Sequence, residues 1–113
     1  MDAGLPKSEK LCGKTAVAAV FEHGKGASAG CLRCKYLKRD DEDAPRILVS
    51  VPKRNFKRAV KRNLLKRRIR ESYRRQKALL GPGVDILFIY TAQEVLPYDS
   101  IYADMTALLY AVS

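Results

Sequence analysis

The run Val84-Asp85-Ile86-Leu87-Phe88-Ile89-Tyr90 is apolar at every position but Asp85. A short, nearly continuous apolar run of this kind predicts a strand in the middle of a sheet, with little water on either face. Ile47-Leu48-Val49-Ser50-Val51, closed by Pro52, predicts a second strand, and Cys31 to Lys38 a third. Helical spacing appears in three places. Val17, Val20 and Phe21 share a face at i, i+3 and i+4 in a short helix over Lys14 to Glu22, ended by Gly24. Leu65, Ile69 and Tyr73 fall on one stripe of a long helix over Lys57 to Leu80, stopped by Gly81-Pro82-Gly83. Ile101, Met105, Leu108, Leu109 and Val112 form the stripe of a last helix over Asp99 to Val112, with Asp99 or Ser100 placed to cap it. Leu5 to Leu11 reads as an extended lead-in, Lys25 to Gly30 as a loop, and Asp40 to Asp43 as a solvated acidic turn.

The order helix, strand, strand, helix, strand, helix predicts an α+β fold: a small, mostly antiparallel sheet packed with about three helices. The 113 residues, 47% of them apolar, fit one domain over 1–113 with one ordinary core. No stretch approaches the ~20 apolar residues of a membrane helix. Met1 to Lys14 has no apolar segment of the kind a secretory signal carries. The expectation is a cytoplasmic protein without a membrane partner.

Charge changes this picture most. The chain carries 22 Lys and Arg against 12 Asp and Glu, a formal net charge of +10. The position of that excess is more informative than its size. Lys53 to Arg75 holds twelve of the basic residues and one acid, Glu71, while the remaining ten basic and eleven acidic residues nearly cancel. A concentrated basic patch points to a polyanion, because affinity scales with the phosphates neutralised in one place. On the long helix, Asn63, Lys66, Arg67, Arg70 and Arg74 share the face next to the apolar stripe, and Lys61, Arg68 and Arg75 lie on the other flank. Like charges at i, i+3 and i+4 repel, so a merely solvated helix is a poor account of them. Arginine forks suit phosphates, and the Asn63 amide suits a base edge, a ribose hydroxyl or a helix cap. Arg58 extends the basic set at the start of the helix.

The cysteines are Cys12, Cys31 and Cys34. Cys31-x-x-Cys34 is half of a zinc knuckle, with Cys12 and His23 as conceivable further ligands. A strand through this region sends Cys31 and Cys34 to opposite faces, and no second paired motif exists. Small buried hydrophobes are the expected role, and no metal bound by the protein is expected.

The run Arg58-Ala59-Val60-Lys61-Arg62-Asn63-Leu64-Leu65-Lys66-Arg67-Arg68-Ile69-Arg70-Glu71 resembles the signature helix of the bacterial ribonuclease P protein component. Val49 to Arg54 resembles the family's strand leading into a basic pair, with Pro52-Lys53-Arg54 similar to the Bacteroidetes version. Phe21-Glu22-His23-Gly24 resembles the end of the family's first helix. The resemblance implies a left-handed βαβ crossover containing the signature helix. It also implies a protein that acts with a catalytic RNA in removing the 5′ leader of precursor tRNA. Arg62, Asn63, Lys66, Arg67, Arg68 and Arg70 match the positions that contact the RNA, and Arg58 and Arg74 extend that set. A cleft between the sheet and the first helix is implied for the single-stranded leader. Phe21 matches one of its aromatic positions, Lys53 a basic residue near it with Arg54 beside it, and Lys35 or Tyr36 the aromatic of the first strand. Stacking beside positive charge is what a sequence-tolerant single strand requires. Read from its neighbours Val17 and Val20 alone, Phe21 is a core residue. Val17 stands where the family often has a second aromatic, and Leu64 where a basic residue is common.

No catalytic constellation of protein side chains is evident. The expectation is an endoribonuclease subunit whose RNA supplies a magnesium-assisted hydrolysis, with the catalytic RNA and precursor tRNA as partners and no obligate protein partner. The competing classes are a ribosomal or other structural-RNA-binding protein, a DNA-binding protein, which lacks a recognisable helix-turn-helix, and a protein-only nuclease, for which only Asp40 to Asp43 offers clustered carboxylates.

Overall fold

The computed structural model describes residues 9–112. Leu5 to Ser8 of the expected lead-in lie outside the described residues. The elements in chain order are α1 (Lys14–His23), β1 (Lys25–Ala29), β2 (Leu32–Lys38), β3 (Arg46–Ser50), α2 (Ala59–Arg74), β4 (Val84–Tyr90) and α3 (Tyr98–Val112). The strands form one sheet in the order β1-β2-β4-β3. β1 with β2 and β2 with β4 are antiparallel, whereas β3 and β4 are parallel. Parallel neighbours need a long connection, and α2 is that connection. β4 sits inside the sheet, as its apolar run predicts.

Strand alternation divides the core in two. Leu32 and Cys34 of β2, Ile47 and Val49 of β3, and Val84, Ile86, Phe88 and Tyr90 of β4 face one way. They pack with Leu65, Ile69 and Tyr73 of α2 and Ile101, Met105, Leu108, Leu109 and Val112 of α3 in the main core. On the opposite face a smaller cluster joins Leu87 to Leu11 and Val20, flanked by Val17, Leu37, Leu48 and Ile89. Here α1 lies on the sheet and leaves part of it open. The polar exception of β4, Asp85, is buried on this second face. It accepts from Arg39 Nη1 at 2.6 Å and from Arg46 Nε and Nη2 at 2.8 and 2.7 Å. A buried carboxylate persists only with such partners.

Four expectations are corrected. The segment Lys25 to Gly30, expected as a loop, contains β1. Its residues Lys-Gly-Ala-Ser-Ala carry no β-branched or aromatic signal, and pairing with β2 alone makes it a strand. The basic helix ends at Arg74 and not Leu80. The Gln76 N–H turns back to the Tyr73 carbonyl, and a single 3-10 turn over Lys77–Leu79 follows. The last helix begins at Tyr98, so Asp99 and Ser100 lie within its first turn and do not cap it; Asp99 there still favours the positive helix end. Cys31 and Cys34 enter the same core, because Cys31 belongs to the turn after Gly30 (φ 55) and precedes the strand's alternation. Burial first, and then a hydrogen bond to Asp104, push the Cys31 thiol up to about 12. Burial likewise pushes Cys34 up to about 11, so both behave as small apolar side chains.

Candidate nucleic-acid interface

α2 forms because Ala59–Arg74 is made mostly of strong helix formers, Ala, Leu, Lys, Arg and Glu. Its N-cap, Arg58, offers no capping side chain. The start is held instead by Arg62, whose Nη1 donates to the Phe56 carbonyl at 2.6 Å and the Lys57 carbonyl at 2.8 Å. Leu65, Ile69 and Tyr73 are fully buried, and Ser72 and Gln76 beside them are buried too. Ser72 Oγ is satisfied by the Ile69 carbonyl at 2.8 Å.

This inward stripe fixes what faces out. Asn63, Arg67 and Arg74 are exposed, and Lys66 and Arg70 half-buried. Residues 63 to 74 span about 16 Å of helix axis at 1.5 Å per residue, so all five side chains line one strip. Asn63 lies within the helix, which removes the capping role and leaves its amide for a partner. Arg58 is exposed at the helix entrance. Arg62 and Arg68 flank the strip and are half-buried. Each commits an N–H to backbone: Arg62 as described, and Arg68 Nη1 to the Leu96 carbonyl at 2.6 Å, which ties α2 to the loop before α3. Sequence reasoning missed this second role, since the acceptors are carbonyls of loops with no signature of their own.

Glu71 is the one acid of the helix. Arg74 reaches it with Nε and Nη2 at 2.9 and 2.7 Å, and Arg75 Nε at 2.9 Å. Hydrogen bonds from Arg74 first, then Arg75, hold its carboxyl down to about 2. Glu71 thereby tethers the two arginines at the C-terminal end of the strip.

On the other side of the sheet, α1 and β3 border an apolar groove of about 560 Å³. Leu11, Cys12 and Lys14 line it from the N-terminal segment, Val17 and Phe21 from α1, and Leu48 from β3. Phe21 is 50% exposed and so is not the core residue its neighbours suggest. Lys35 of β2 stands over it: Nζ is 5.8 Å from the ring centroid and donates to the Phe21 carbonyl at 3.2 Å. Register decides between the two β2 candidates. Lys35 pairs with Leu87 and shares its face, toward α1; Tyr36 pairs with Ile86 and packs against the main core. The fold therefore brings Phe21 and Lys35 together and turns Tyr36 away. Lys53 and Arg54 are exposed in the turn between β3 and α2.

The acidic turn does not gather its carboxylates. Asp41 accepts from Arg39 Nε and Nη2 at 3.2 and 3.0 Å and from the Asp43 N–H at 3.0 Å. The Arg39 guanidinium holds it below the usual carboxylate range. Among the described residues no group of three or more His, Cys, Asp or Glu is placed to hold a metal ion, and no helix is long and apolar enough to cross a membrane.

Fold and charge define a small basic α+β protein with one polycationic helix on one face of a mixed sheet and an apolar groove on the other. The family model for ribonuclease P matches residues 5–113, and the chain belongs to that family. The ribonuclease P protein component of Porphyromonas gingivalis is 44% identical over 89 residues, covering 77% of this chain and 65% of that protein. The component from Chlorobaculum tepidum is 42% identical over 105 residues, covering 79% and 68%. The matched stretch thus spans just under two thirds of the Porphyromonas protein. Solved structures that share the fold include two from other bacteria. The ribonuclease P protein of Thermotoga maritima superposes with a TM-score of 0.81 at 24% identity, covering 93% of this chain and 98% of that one. That of Staphylococcus aureus gives 0.79 at 21%, covering 93% and 95%.

Proposed function

We propose that this chain is the protein subunit of a ribonuclease P ribonucleoprotein, which removes the 5′ leader of precursor tRNA. The observation that carries this reading is the outer strip of α2, where Asn63, Lys66, Arg67, Arg70 and Arg74 stand together on a rigidly packed helix in a chain of this family. The strip binds the catalytic RNA, with arginine forks on phosphates and Asn63 on a base edge or ribose hydroxyl. Arg58, Arg62 and Arg68 add charge at its margins. The groove beside Phe21 takes the single-stranded leader: the half-exposed ring offers a stacking face, and Lys35 sets a cation against it. Lys53 and Arg54 extend positive potential from the turn after β3. Tyr36 has no part in leader binding on this reading. The RNA supplies the chemistry, a magnesium-assisted phosphodiester hydrolysis, and the protein side chains screen phosphate repulsion and hold the substrate.

Binding measurements test the two surfaces separately. Lys66→Ala and Arg67→Ala weaken binding of the cognate catalytic RNA, and each lowers the salt slope by about one, as expected when one phosphate fewer is neutralised. Phe21→Ala weakens the holoenzyme's hold on leader-bearing precursor by about 1–3 kcal/mol, the range for one stacked base, and leaves mature tRNA binding unchanged. Unaltered affinity and slope in the α2 variants would remove the RNA strip from this account; equal losses on precursor and mature tRNA would remove the leader groove.

A further inference from the structure

The charged strip of α2 does not end at Arg74. Arg75 shares Glu71 with Arg74, at 2.9 Å, and places its guanidinium 5.8 Å from the centroid of the Tyr98 ring. Tyr98 packs against Tyr102 one turn further along α3, with centroids 5.9 Å apart and planes tilted by 51°. A path of two arginines bridged by Glu71, and then two rings, therefore runs from the α2 strip across to α3. Tyr102 lies at its end with 36% of its surface exposed. Its carbonyl is held from the turn after α2 and from α3 itself: Gln76 Nε2 donates to it at 3.1 Å, and Thr106 Oγ1 lies 2.9 Å from it. The single Thr106 hydroxyl proton serves either this carbonyl or the Gln76 side-chain oxygen. An exposed tyrosine on so constrained a support is a preorganised flat surface, and a bound partner loses little entropy of the protein side by using it.

We propose that Tyr102, with Tyr98 behind it and Arg75 beside it, is a second RNA contact, which stacks one unpaired nucleotide and pairs its phosphate with Arg75. The occupant is RNA because the patch is cationic and continuous with the α2 strip; this inference rests on the function proposed above. Aromatic faces accept any base, and arginine supplies the phosphate fork and a further stacking plane. A bare i, i+4 tyrosine pair would only brace α3 and would have no bearing on RNA.

The chain contains no tryptophan, so Tyr102→Trp installs a single reporter at the site. Its emission is followed while the full protein is titrated with the catalytic RNA alone and, separately, with leader-bearing precursor tRNA. Quenching in one titration identifies which RNA supplies the stacked nucleotide. Tyr102→Ala is expected to weaken binding of that RNA about tenfold, within the range for one stacked base, while Tyr102→Phe keeps it. Unchanged emission with the RNA demonstrably bound, or unchanged affinity in Tyr102→Ala, overturns this proposal alone if Arg67→Ala still weakens binding. A wild-type protein that binds neither RNA overturns this proposal together with the function it rests on.

Discussion

Arg62 and Arg68 each hold a backbone carbonyl outside α2, and Arg67 does not. Both flanking arginines donate to backbone carbonyls of loops, Arg62 just before α2 and Arg68 just before α3, at 2.6 Å in each case, while Arg67 projects from the exposed strip. Removing a charged donor from a partly buried carbonyl costs about 1.5–3 kcal/mol. Arg62→Ala and Arg68→Ala should therefore lower the thermal midpoint measurably, whereas Arg67→Ala should leave it within the scatter of surface substitutions. Thermal unfolding of the three variants checks this, and equal midpoints would show that the carbonyl hydrogen bonds contribute nothing to stability. The sequence made all three visible as cations, but it could not separate them. Their different partners are set by where Phe56, Lys57 and Leu96 end up, and loops leave no periodic trace. Phe21 is the converse case. Its neighbours Val17 and Val20 point to the core, yet the ring stands half-exposed at the groove.

Glu71 governs the C-terminal half of α2. Its carboxyl is held down to about 2, against an ordinary value of 4.5, by Arg74 and Arg75. A depressed folded-state value means that the contribution to stability is complete above about 4.5 and is lost as the pH falls through about 2. The expected result is that wild type and Glu71→Gln differ in thermal midpoint at pH 5 and converge by pH 2. A gap that persists unchanged to pH 2 would contradict the ion-pair account. Element boundaries were less legible than element types. α1, β2, β3, β4 and α3 stand within a few residues of the periodicity that predicts them. β1 left no signal because Lys25–Ala29 is made of small and polar residues, and its strand state comes from hydrogen bonding to β2. α2 stops short of the glycines because the Gln76 N–H closes on Tyr73, a local competition that pattern reading does not resolve.

Across the molecule as a whole, the sheet separates two surfaces. α2 and α3 cover one face, with α2 carrying the polycationic strip outward; α1 covers part of the other and leaves a groove open. The +11 concentrated between Lys53 and Arg75 made the first surface legible without coordinates. The second depended on strand register: only the pairing of β2 with β4 decides that Lys35, and not Tyr36, meets Phe21. On the function proposed above, both surfaces serve one end, letting a catalytic RNA mature tRNA. The decisive test is cleavage of leader-bearing precursor tRNA at low magnesium by the cognate catalytic RNA, with and without the protein. Correct 5′ maturation is expected only when both are present, with the requirement for the protein relaxing as magnesium is raised. Cleavage by the RNA that the tightly bound protein leaves unchanged at every magnesium concentration would contradict that role.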